Sequence, residues 1–442
     1  ALDMDSGKAY ISLDGRWGSD AAPHTNAQVS DGSATPAVSG LTGTYRPVIS
    51  ANGGTTSTRR LDVNFGQRPF RFPPPEGYKC WNRTNMPSPA KAARSANKNF
   101  VPYLWSGTQT GTAGALSYKD IGFQPDFIWV KQRNQAYSTG HQLYDSVRGF
   151  ASDKEISSEG TDAQGAGNIE DYGWINGTYE NGFITKGGST DYDYVNKSGV
   201  TYVAWCWSAP ESFSNTAGSN GADLACTGKR NVDAGFSIVS WTSDGGTGGI
   251  LHGLNRMPEM VLMRPLNGGS WAGQFYGSDN VWYTGILNTS AVLSALGSSN
   301  QATATLIKNF GFSAGPMIAY CWHSVEGYCK VGSFIGNGST SGPVIYTEFK
   351  PTYVILKGAA GARNWSIYTV EVDPTNPTGT RLVANVGNSE GTYASQYLDI
   401  LSNGFKLRGD DSDVNQGGET FFYMAFAEAP TNAGFGAVVN AR

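Results

Sequence analysis

The residues of this chain that could carry chemistry are few, and none falls in a catalytic spacing. The four histidines are His24, His141, His252 and His323, and none stands in a zinc-binding spacing such as H-E-x-x-H. The sequence contains neither a G-x-S-x-G turn, which exposes a nucleophilic serine, nor a G-x-x-x-x-G-K-S/T loop, which cradles phosphates. Histidine, serine or nucleotide chemistry is therefore not indicated.

Paired carboxylates are the next chemistry to consider, because a glycosidase uses two acidic side chains that face each other across a groove. Two acidic clusters have a suitable composition: Glu170 and Asp171 in the stretch IEDYGW, and Asp191 and Asp193 in the stretch STDYDYV. Spacing along the chain does not tell whether two of these acids converge. We predict no catalytic residue, and cleavage of a glycan stays an alternative hypothesis.

The stretch GDDSDVNQGGE is the best candidate for a metal site. Asp411, Asp413 and Asn415 fit the first three ligand positions of an EF-hand calcium loop. However, Gln416 occupies the position that requires glycine, and Phe422 the position that requires glutamate. We expect a polar hairpin loop here, and neither a metal ion nor a cofactor in the protein.

Aromatic residues beside amides and acids give a signal for sugar binding, because ring faces stack on the C–H surfaces of sugars beside hydrogen-bonding groups. The candidates are Tyr172, Trp174 and Tyr179 in DYGWINGTYENG, and Tyr192 and Tyr194 in TDYDYVNKS. The alternative is that these rings pack under their own loops or at a subunit contact. We predict a carbohydrate-binding site that uses these five rings.

The elements that position these residues follow from composition. At 442 residues the chain has room for about three domains. Charged residues make up 15% and aromatic residues 12%, and there are 58 glycines, a composition typical of short strands joined by glycine-rich turns. The net charge of −4 gives no basic surface for nucleic acid, and no apolar run approaches the ~20 residues of a membrane span. The sequence therefore predicts an all-β protein.

Cysteines are sparse and show no disulfide framework. The five are Cys80, Cys206, Cys226, Cys321 and Cys329, with no C-x-x-C pair. Cys206 and Cys321 lie inside apolar runs, where a thiol behaves as a small hydrophobic group. We expect buried free thiols.

Four sequence elements occur three times in the same order, which indicates an internal repeat. The clearest element is an apolar strand that follows a proline and ends on a cation: FQPDFIWVK (residues 123–131), RMPEMVLMR (256–264) and FKPTYVILK (349–357). A closing strand comes later in each unit: TYVAWCWSAP from Thr201, MIAYCWHSVEGY from Met317 and FFYMAFAEAP from Phe421. We aligned these closing strands on Ala204, Ala319 and Ala425. The remaining two elements precede the proline strand and the closing strand.

Each unit is about 100 residues long and fits a β-sandwich. Whether the units are independent sandwiches or share sheets stays open. The predicted organisation is a partial β-sandwich at 1–87, a linker or short helix at 88–98, repeat 1 at 99–212, a linker at 213–234, repeat 2 at 235–328, repeat 3 at 329–430 and a C-terminal tail at 431–442.

Residues 1–87 resemble the second half of a SPRY domain. The resemblance lies in a hairpin from Asp3 to Ile11, a strand from Gly43 to Pro47 and the closing segment LDVNFGQRPFRFPPPEGY from Leu61 to Tyr78. It implies a β-sandwich whose first half is absent. We expect that the natural protein continues before Ala1; the alternative is that another copy of the chain supplies the missing sheet.

Residues 100–430 resemble the C-terminal modules that follow SPRY-like domains in virion proteins of tailed phages, often called tail fibre proteins. The motifs that carry this resemblance are GFQPDFIWVKQRN, GVTYVAWCW, YCKVGSFIGNGSTSGPVIYTEFKPTYVILK, YLDILSNGFKLRG and TFFYMAFAEAP. The fold that the whole sequence predicts is all-β, a partial SPRY-like β-sandwich followed by three repeated β-sandwich units.

The resemblance implies a non-enzymatic virion structural protein, made in the bacterial host cytoplasm and carried on the extracellular particle. We expect a tail fibre or appendage that contributes to recognition of host-surface glycans. Its expected partners are further copies of itself, with a trimer favoured, and other virion proteins bound through the absent N-terminal region; neither nucleic acid nor membrane insertion is expected. The alternatives are a capsid decoration protein or other structural filament, and a polysaccharide depolymerase.

Overall fold

In the computed structural model, the described residues are 2–3, 8–13, 16–19, 22–40, 72, 75–76, 78, 96–109, 116–134, 139–167, 169–191, 193–393 and 395–428. They form nearly all-β structure, which confirms the predicted fold class. The chain divides into two compact units, Ala1–Ser88 and Pro89–Arg442.

The first unit contains short strands and one helix. Its strands are β1 (Leu2–Asp3), β2 (Lys8–Ala9), β3 (Ser12–Leu13), β4 (Arg16–Ser19) and β5 (Ala22–His24), and its helix is Asn26–Ser30. Strands β1 and β2 pair as the expected hairpin. Thr25 caps the helix, because its hydroxyl accepts from the Gln28 N–H while the Gln28 side chain accepts from the Thr25 N–H. Most of the segment 61–78, which carries the SPRY resemblance, lies outside the described residues.

The second unit contains three successive groups of strands. Repeat 1 has β6 (Phe100–Ser106), β7 (Leu116–Asp120), β8 (Phe127–Gln132), β9 (Gln142–Asp145), β10 (Trp174–Tyr179), β11 (Gly182–Lys186) and β12 (Thr201–Trp207). Next come β13 (Glu211–Asn215) and β14 (Cys226–Asn231). Repeat 2 has β15 (Phe236–Ser243), β16 (Gly249–Leu251), β17 (Met260–Pro265), β18 (Ala272–Tyr276), β19 (Trp282–Gly285), β20 (Ser294–Ala295), β21 (Leu306–Lys308) and β22 (Gly315–Trp322). Repeat 3 has β23 (Cys329–Ile335), β24 (Val344–Tyr346), β25 (Pro351–Gly358), β26 (Ser366–Thr369), β27 (Thr380–Val383), β28 (Gly391–Thr392), β29 (Leu398–Leu401), β30 (Gly404–Leu407) and β31 (Thr420–Ala427). Short helices lie at Ala96–Lys98, Ser152–Lys154, Ile169–Tyr172, Ser298–Asn300 and Ser412–Asn415.

The three repeats share one antiparallel strand order. The main sheets run β6-β12-β8-β9, β15-β22-β17-β18 and β23-β31-β25-β26, so the closing strand always lies between the first strand and the proline strand. A smaller outer sheet accompanies each main sheet: β10-β11-β7, β16-β21 and β24-β30-β29. The proline stands at the entrance of each proline strand, where no ladder N–H is required.

The segment 213–234, which we predicted as a linker, contains strand residues. Strands β13 and β14 form a hairpin that pairs with β15, where Cys226 lies opposite Trp241. The hairpin covers the edge of β15, whose unpaired backbone groups would otherwise stay open. Phe213 of β13 also packs against the core of repeat 2.

Each main sheet is buried on both faces. In β12, Tyr202, Ala204 and Cys206 face the outer sheet of repeat 1, while Trp205 and Trp207 face the opposite way. The opposite faces of the three main sheets meet in one shared core. The repeats therefore keep separate sheets but are not independent sandwiches.

Aromatic contacts close the shared core between every pair of repeats. The ring centroids of Phe127 and Tyr320 lie 4.2 Å apart and join repeats 1 and 2. Phe100 and Phe426 lie 4.4 Å apart and join repeats 1 and 3. Phe275 and Phe422 lie 5.9 Å apart and join repeats 2 and 3. The three repeats thus form a closed, quasi-threefold arrangement within a single chain.

The cation at the end of each proline strand is buried and binds a backbone carbonyl of a neighbouring repeat. The three bonds run from Lys131 Nζ to Gly387 O at 2.8 Å, from Arg264 Nη2 to Asp162 O at 2.6 Å, and from Lys357 Nζ to Ser290 O at 3.0 Å. Repeat 1 therefore donates to repeat 3, repeat 3 to repeat 2 and repeat 2 to repeat 1. This cyclic pattern explains why all three proline strands end on a cation.

Backbone bonds repeat the cycle in the opposite direction. The N–H groups of Gln164, Leu293 and Glu390 donate to the carbonyls of Leu266, Ala359 and Arg133, at 2.9, 2.8 and 2.9 Å. Each acceptor stands two residues after the buried cation of its repeat. The same contact is therefore made three times around the shared core.

The described cysteines are buried free thiols, as predicted. Cys206, Cys226, Cys321 and Cys329 form no disulfide with one another, and burial raises the pKa of each thiol. Cys80 lies outside the described residues.

Candidate functional site

The outer sheet of repeat 1 presents a solvent-facing surface rich in rings. Its inner side carries Ile175 and Phe183, which pack on the main sheet. We call its outward residues the outer aromatic face, and they are Leu116, Tyr118, Asp120, Trp174, Tyr179, Ile184 and Lys186. Strand alternation places these side chains on one side because the inner residues fill the positions between them.

Two tyrosines and an aspartate form one half of this face. Tyr118 is 61% exposed, and its ring meets the Tyr179 ring at 5.6 Å and 77°, an edge-to-face arrangement. The Tyr179 hydroxyl donates to Asp120 Oδ1 at 2.7 Å, and Asn181 Nδ2 donates to the same oxygen at 2.7 Å. Burial and the bond to Asp120 raise the pKa of Tyr179. A fixed pair of rings therefore stands beside a carboxylate and an amide.

Trp174 forms the other half of the face. The Lys186 ammonium lies 4.9 Å from the centre of the Trp174 ring, and Trp174 Nε1 donates to Asn176 Oδ1 at 3.1 Å. The register shifts between Ile175 and Gly177. A side chain at Gly177 would meet nothing within 4 Å, so open space remains between the Trp174 and Tyr179 positions.

The structure divides the five predicted ring residues. Trp174 and Tyr179 lie on the outer aromatic face. Tyr172 and Tyr194 pair with each other instead, with centroids 5.2 Å apart. Tyr192 lies outside the described residues.

Sequence reasoning missed Tyr118 and Asp120. Their signal was the alternation of LSYKD, in which Leu116, Tyr118 and Asp120 share one side of a strand. The five predicted rings cluster between residues 172 and 194, whereas Tyr118 is the single aromatic residue of its strand.

The equivalent surfaces of the other two repeats differ. The outer sheet of repeat 2 presents Leu251, Leu306 and Lys308, and that of repeat 3 presents Val344 and Tyr346. Among the described outer sheets, the combination of a tryptophan, a tyrosine pair and a carboxylate is therefore found in repeat 1. Rings flanked by hydrogen-bonding groups suit a ligand with apolar and hydroxyl-bearing faces, such as a sugar.

The three histidines of the second unit, His141, His252 and His323, are buried. His141 Nδ1 accepts from Trp129 Nε1 at 2.9 Å, and its Nε2 lies 3.0 Å from the Val383 carbonyl of repeat 3, to which it donates. Burial, and then the nearby Lys131, lower the pKa of His141. Burial lowers the pKa of His252 to about 4 and also lowers that of His323. These imidazoles are neutral at pH 7.

The acidic clusters singled out in the sequence bind neighbouring side chains. Glu170 accepts from Ser152 and Asp171 from Ser189, while Lys197 pairs with Asp191 at 2.9 Å and with Asp193 at 2.6 Å. Within the described residues, no group of three or more histidine, cysteine or acidic side chains is arranged to hold a metal ion.

The EF-hand-like stretch is a loop with one helical turn at Ser412–Asn415. Asp413 binds Arg381 and Asn364 at 3.0 and 3.1 Å, and the Asn415 amide donates to Ser339 O and Gly409 O, both at 2.9 Å. These side chains point to partners rather than to a common centre.

The fold defines a class of all-β protein in which three like sandwiches close around one core within a single chain. Residues 99–430, which span these sandwiches, match the family described as Domain of unknown function (DUF7483), and the chain belongs to this family. Comparison with curated proteins and with solved structures finds no match. No helix in the described part of the chain is long and apolar enough to cross a membrane.

Proposed function

We propose that this protein is a non-enzymatic phage virion component, a tail fibre or related appendage that contributes to recognition of host-surface glycans. The observation that carries the proposal is the outer aromatic face. Among the described outer sheets it occurs on that of repeat 1 and not on those of repeats 2 and 3, so the scaffold does not require it. A surface that departs from the internal repeat in this way is expected to serve binding.

The closed body of three sandwiches supports a role as a rigid carrier of that face. Its inner sheet faces are already buried against one another within one chain. A homotrimer, which we predicted by resemblance, would therefore have to form through other surfaces. The proposed location is the extracellular particle, after synthesis in the bacterial cytoplasm.

A glycan array combined with a reducing-sugar assay tests the proposal. We expect the purified chain to bind a subset of bacterial surface polysaccharides without releasing reducing ends. Cleavage of a bound polysaccharide would favour the depolymerase alternative instead. Binding to no bacterial polysaccharide would favour the capsid decoration or filament alternative.

A further inference from the structure

A polar cavity of about 190 Å³ lies within repeat 1, away from the outer aromatic face. Its walls include Gln142, Glu155, Glu159, Asp162, Ile169 and Tyr194. No residue of the outer aromatic face lines it, so the two sites can be tested separately. We propose that this cavity binds one neutral hexose unit, with Glu155 and Gln142 as its main hydrogen-bonding groups.

Gln142 is the first sign of a missing partner. The residue is 3% exposed, yet neither its Oε1 nor its Nε2 has a hydrogen-bond partner among the residues that the structure describes. A buried amide in this state loses free energy relative to one that is paired, so buried polar groups are normally satisfied. A ligand in the cavity that both donates and accepts would satisfy it.

Glu155 is the second sign of a missing partner. It is 6% exposed, and the nearby Arg148 and Arg264 offset the effect of its burial only in part. Glu159 differs, because its carboxylate accepts from the His141 N–H at 3.0 and 3.2 Å and is thus held in place. Burial, together with the nearby Glu159, raises the pKa of Glu155 to about 8. A carboxyl that keeps its proton at neutral pH both donates and accepts, as a hydroxyl-bearing ligand requires.

The internal repeat shows that the scaffold does not need these two residues. Strand pairing sets Gln142 opposite Val130, Ala272 opposite Met263 and Ser366 opposite Leu356, and each partner directly precedes the buried cation. The residues that follow these three are Leu143, Gly273 and Ile367, and they pair with Ile156, Gly285 and Leu382. Glu155, Thr284 and Arg381 each directly precede one of these partners. The equivalents of Gln142 are therefore Ala272 and Ser366, and those of Glu155 are Thr284 and Arg381.

The third repeat satisfies this pair internally. There Arg381 Nη1 donates to the Ser366 hydroxyl. Repeat 2 carries an apolar residue and a small hydroxyl, Ala272 and Thr284. Of these three equivalent pairs, that of repeat 1 combines a buried amide without a partner and a buried carboxyl.

The charge around the cavity selects the class of ligand. Glu155 keeps its proton at neutral pH, and Arg148 is ion-paired with Asp145. The charged groups that remain around the cavity are Glu159, Asp162, Arg264 and Lys131, two of each sign. A balanced set of charges favours a neutral ligand. The acids do not converge as metal ligands would, and the volume is below the roughly 300–1,000 Å³ of pockets that enclose larger ligands. Tyr194 and Ile169 add an apolar wall, so a single sugar ring fits best.

The test is to titrate the full chain with D-glucose, D-galactose and D-mannose and to measure binding of each sugar by saturation-transfer NMR. We expect saturable binding of at least one hexose. Glu155→Thr and Gln142→Ala introduce the residues that repeat 2 carries at these positions, so both variants should fold. Each should weaken binding about tenfold through the loss of a buried hydrogen-bonding group. Asp153→Asn, which removes a carboxylate two residues away that does not line the cavity, should bind as the unmodified chain does.

Either of two binding results would overturn the proposal. One is the absence of saturable binding of all three hexoses to the unmodified chain. The other is equal affinity in the unmodified chain and in both cavity variants. A crystal soaked in the best-bound hexose gives a direct check, because an ordered water on Gln142 in place of the sugar would also contradict it.

Discussion

The Arg264 guanidinium of repeat 2 donates to the Asp162 carbonyl of repeat 1 at 2.6 Å, although the arginine is fully buried. A second bond runs from the same group to the Gly160 carbonyl. The guanidinium also lies 5.6 Å from the ring centre of Trp271, whose Nε1 donates to Ser157 O at 2.8 Å. The contact between these two repeats is therefore built on charged and ring N–H groups that reach backbone carbonyls.

Replacing this arginine should weaken the contact between repeats. We expect Arg264→Met to lower the free energy of unfolding by about 3 kcal/mol, because two charge-assisted hydrogen bonds from a buried guanidinium are lost. Chemical denaturation measures the change. Lys154→Met, which alters an ion pair on the surface, should change the stability by less than about 0.5 kcal/mol. Equal effects of the two substitutions would show that the buried cation does not hold the repeats together.

The shared core should make the three repeats unfold together. Trp207 packs against rings from all three repeats, including Phe236 and Phe426. We expect Trp207→Ala to destabilise the whole body by about 3–5 kcal/mol while keeping a single unfolding transition. Differential scanning calorimetry and hydrogen exchange measure this, with Tyr346→Ala on the surface as the control. Loss of one repeat with retention of the other two would contradict the shared core.

The stability of the protein should depend on pH through Glu155. Its pKa is raised from 4.5 to about 8 by burial. Between pH 4.5 and pH 8 the folded state therefore keeps a proton that the unfolded state has released. The free energy of unfolding is unaffected by this difference below pH 4.5 and falls as the pH rises through about 8. Glu155→Gln removes the titration.

We therefore expect Glu155→Gln to gain stability relative to the unmodified chain as the pH rises, by about 1 kcal/mol or more at pH 8. Denaturant midpoints at pH 5 and pH 8 measure the difference between the two proteins. A constant difference across this range would contradict the burial of an uncompensated carboxyl at this position.

The outer aromatic face should carry the binding to glycans. We expect Trp174→Ala and Tyr118→Ala each to reduce affinity for a bound polysaccharide by about tenfold, since each removes one stacking ring. Tyr346→Ala, on the outer sheet of repeat 3, is the matched control and should leave the affinity unchanged. Biolayer interferometry with immobilised polysaccharide measures all three. If Tyr346→Ala alone weakened binding, the site would lie on repeat 3.

Much of the scaffold could be predicted from the sequence because local pattern encodes it. Proline at a strand entrance, an apolar run and a small-and-large closing strand recur three times, and the three main sheets have the same order. Two details differ from the prediction. The segment 213–234 contains the end of β13 and the whole of β14, and in repeat 3 Ala425 pairs with Val354 while Tyr423 pairs with Leu356, the residue before the cation. Tyr423 therefore occupies the position in repeat 3 that Ala204 and Ala319 hold in the other repeats.

The shared core could not be predicted, for a physical reason. Strands such as FIWVK are apolar on both faces. This pattern predicts that both faces are buried, but it does not identify the element that packs on the second face. The partners of the buried cations are backbone carbonyls in loops of variable sequence, up to 256 residues away. Because every residue has a backbone carbonyl, the residue types do not show which carbonyl accepts such a bond. The cavity at Gln142 was missed for the same reason, since its two key residues are ordinary in sequence and informative only by comparison with the other repeats.

The most direct test of the proposed function is the position of this protein on the virion. Under the proposal, gold-labelled antibodies against residues 99–430 should bind to virions in electron micrographs, at the tail or its appendages. Label over the whole capsid surface, with none on the tail, would contradict the assignment and favour a decoration protein.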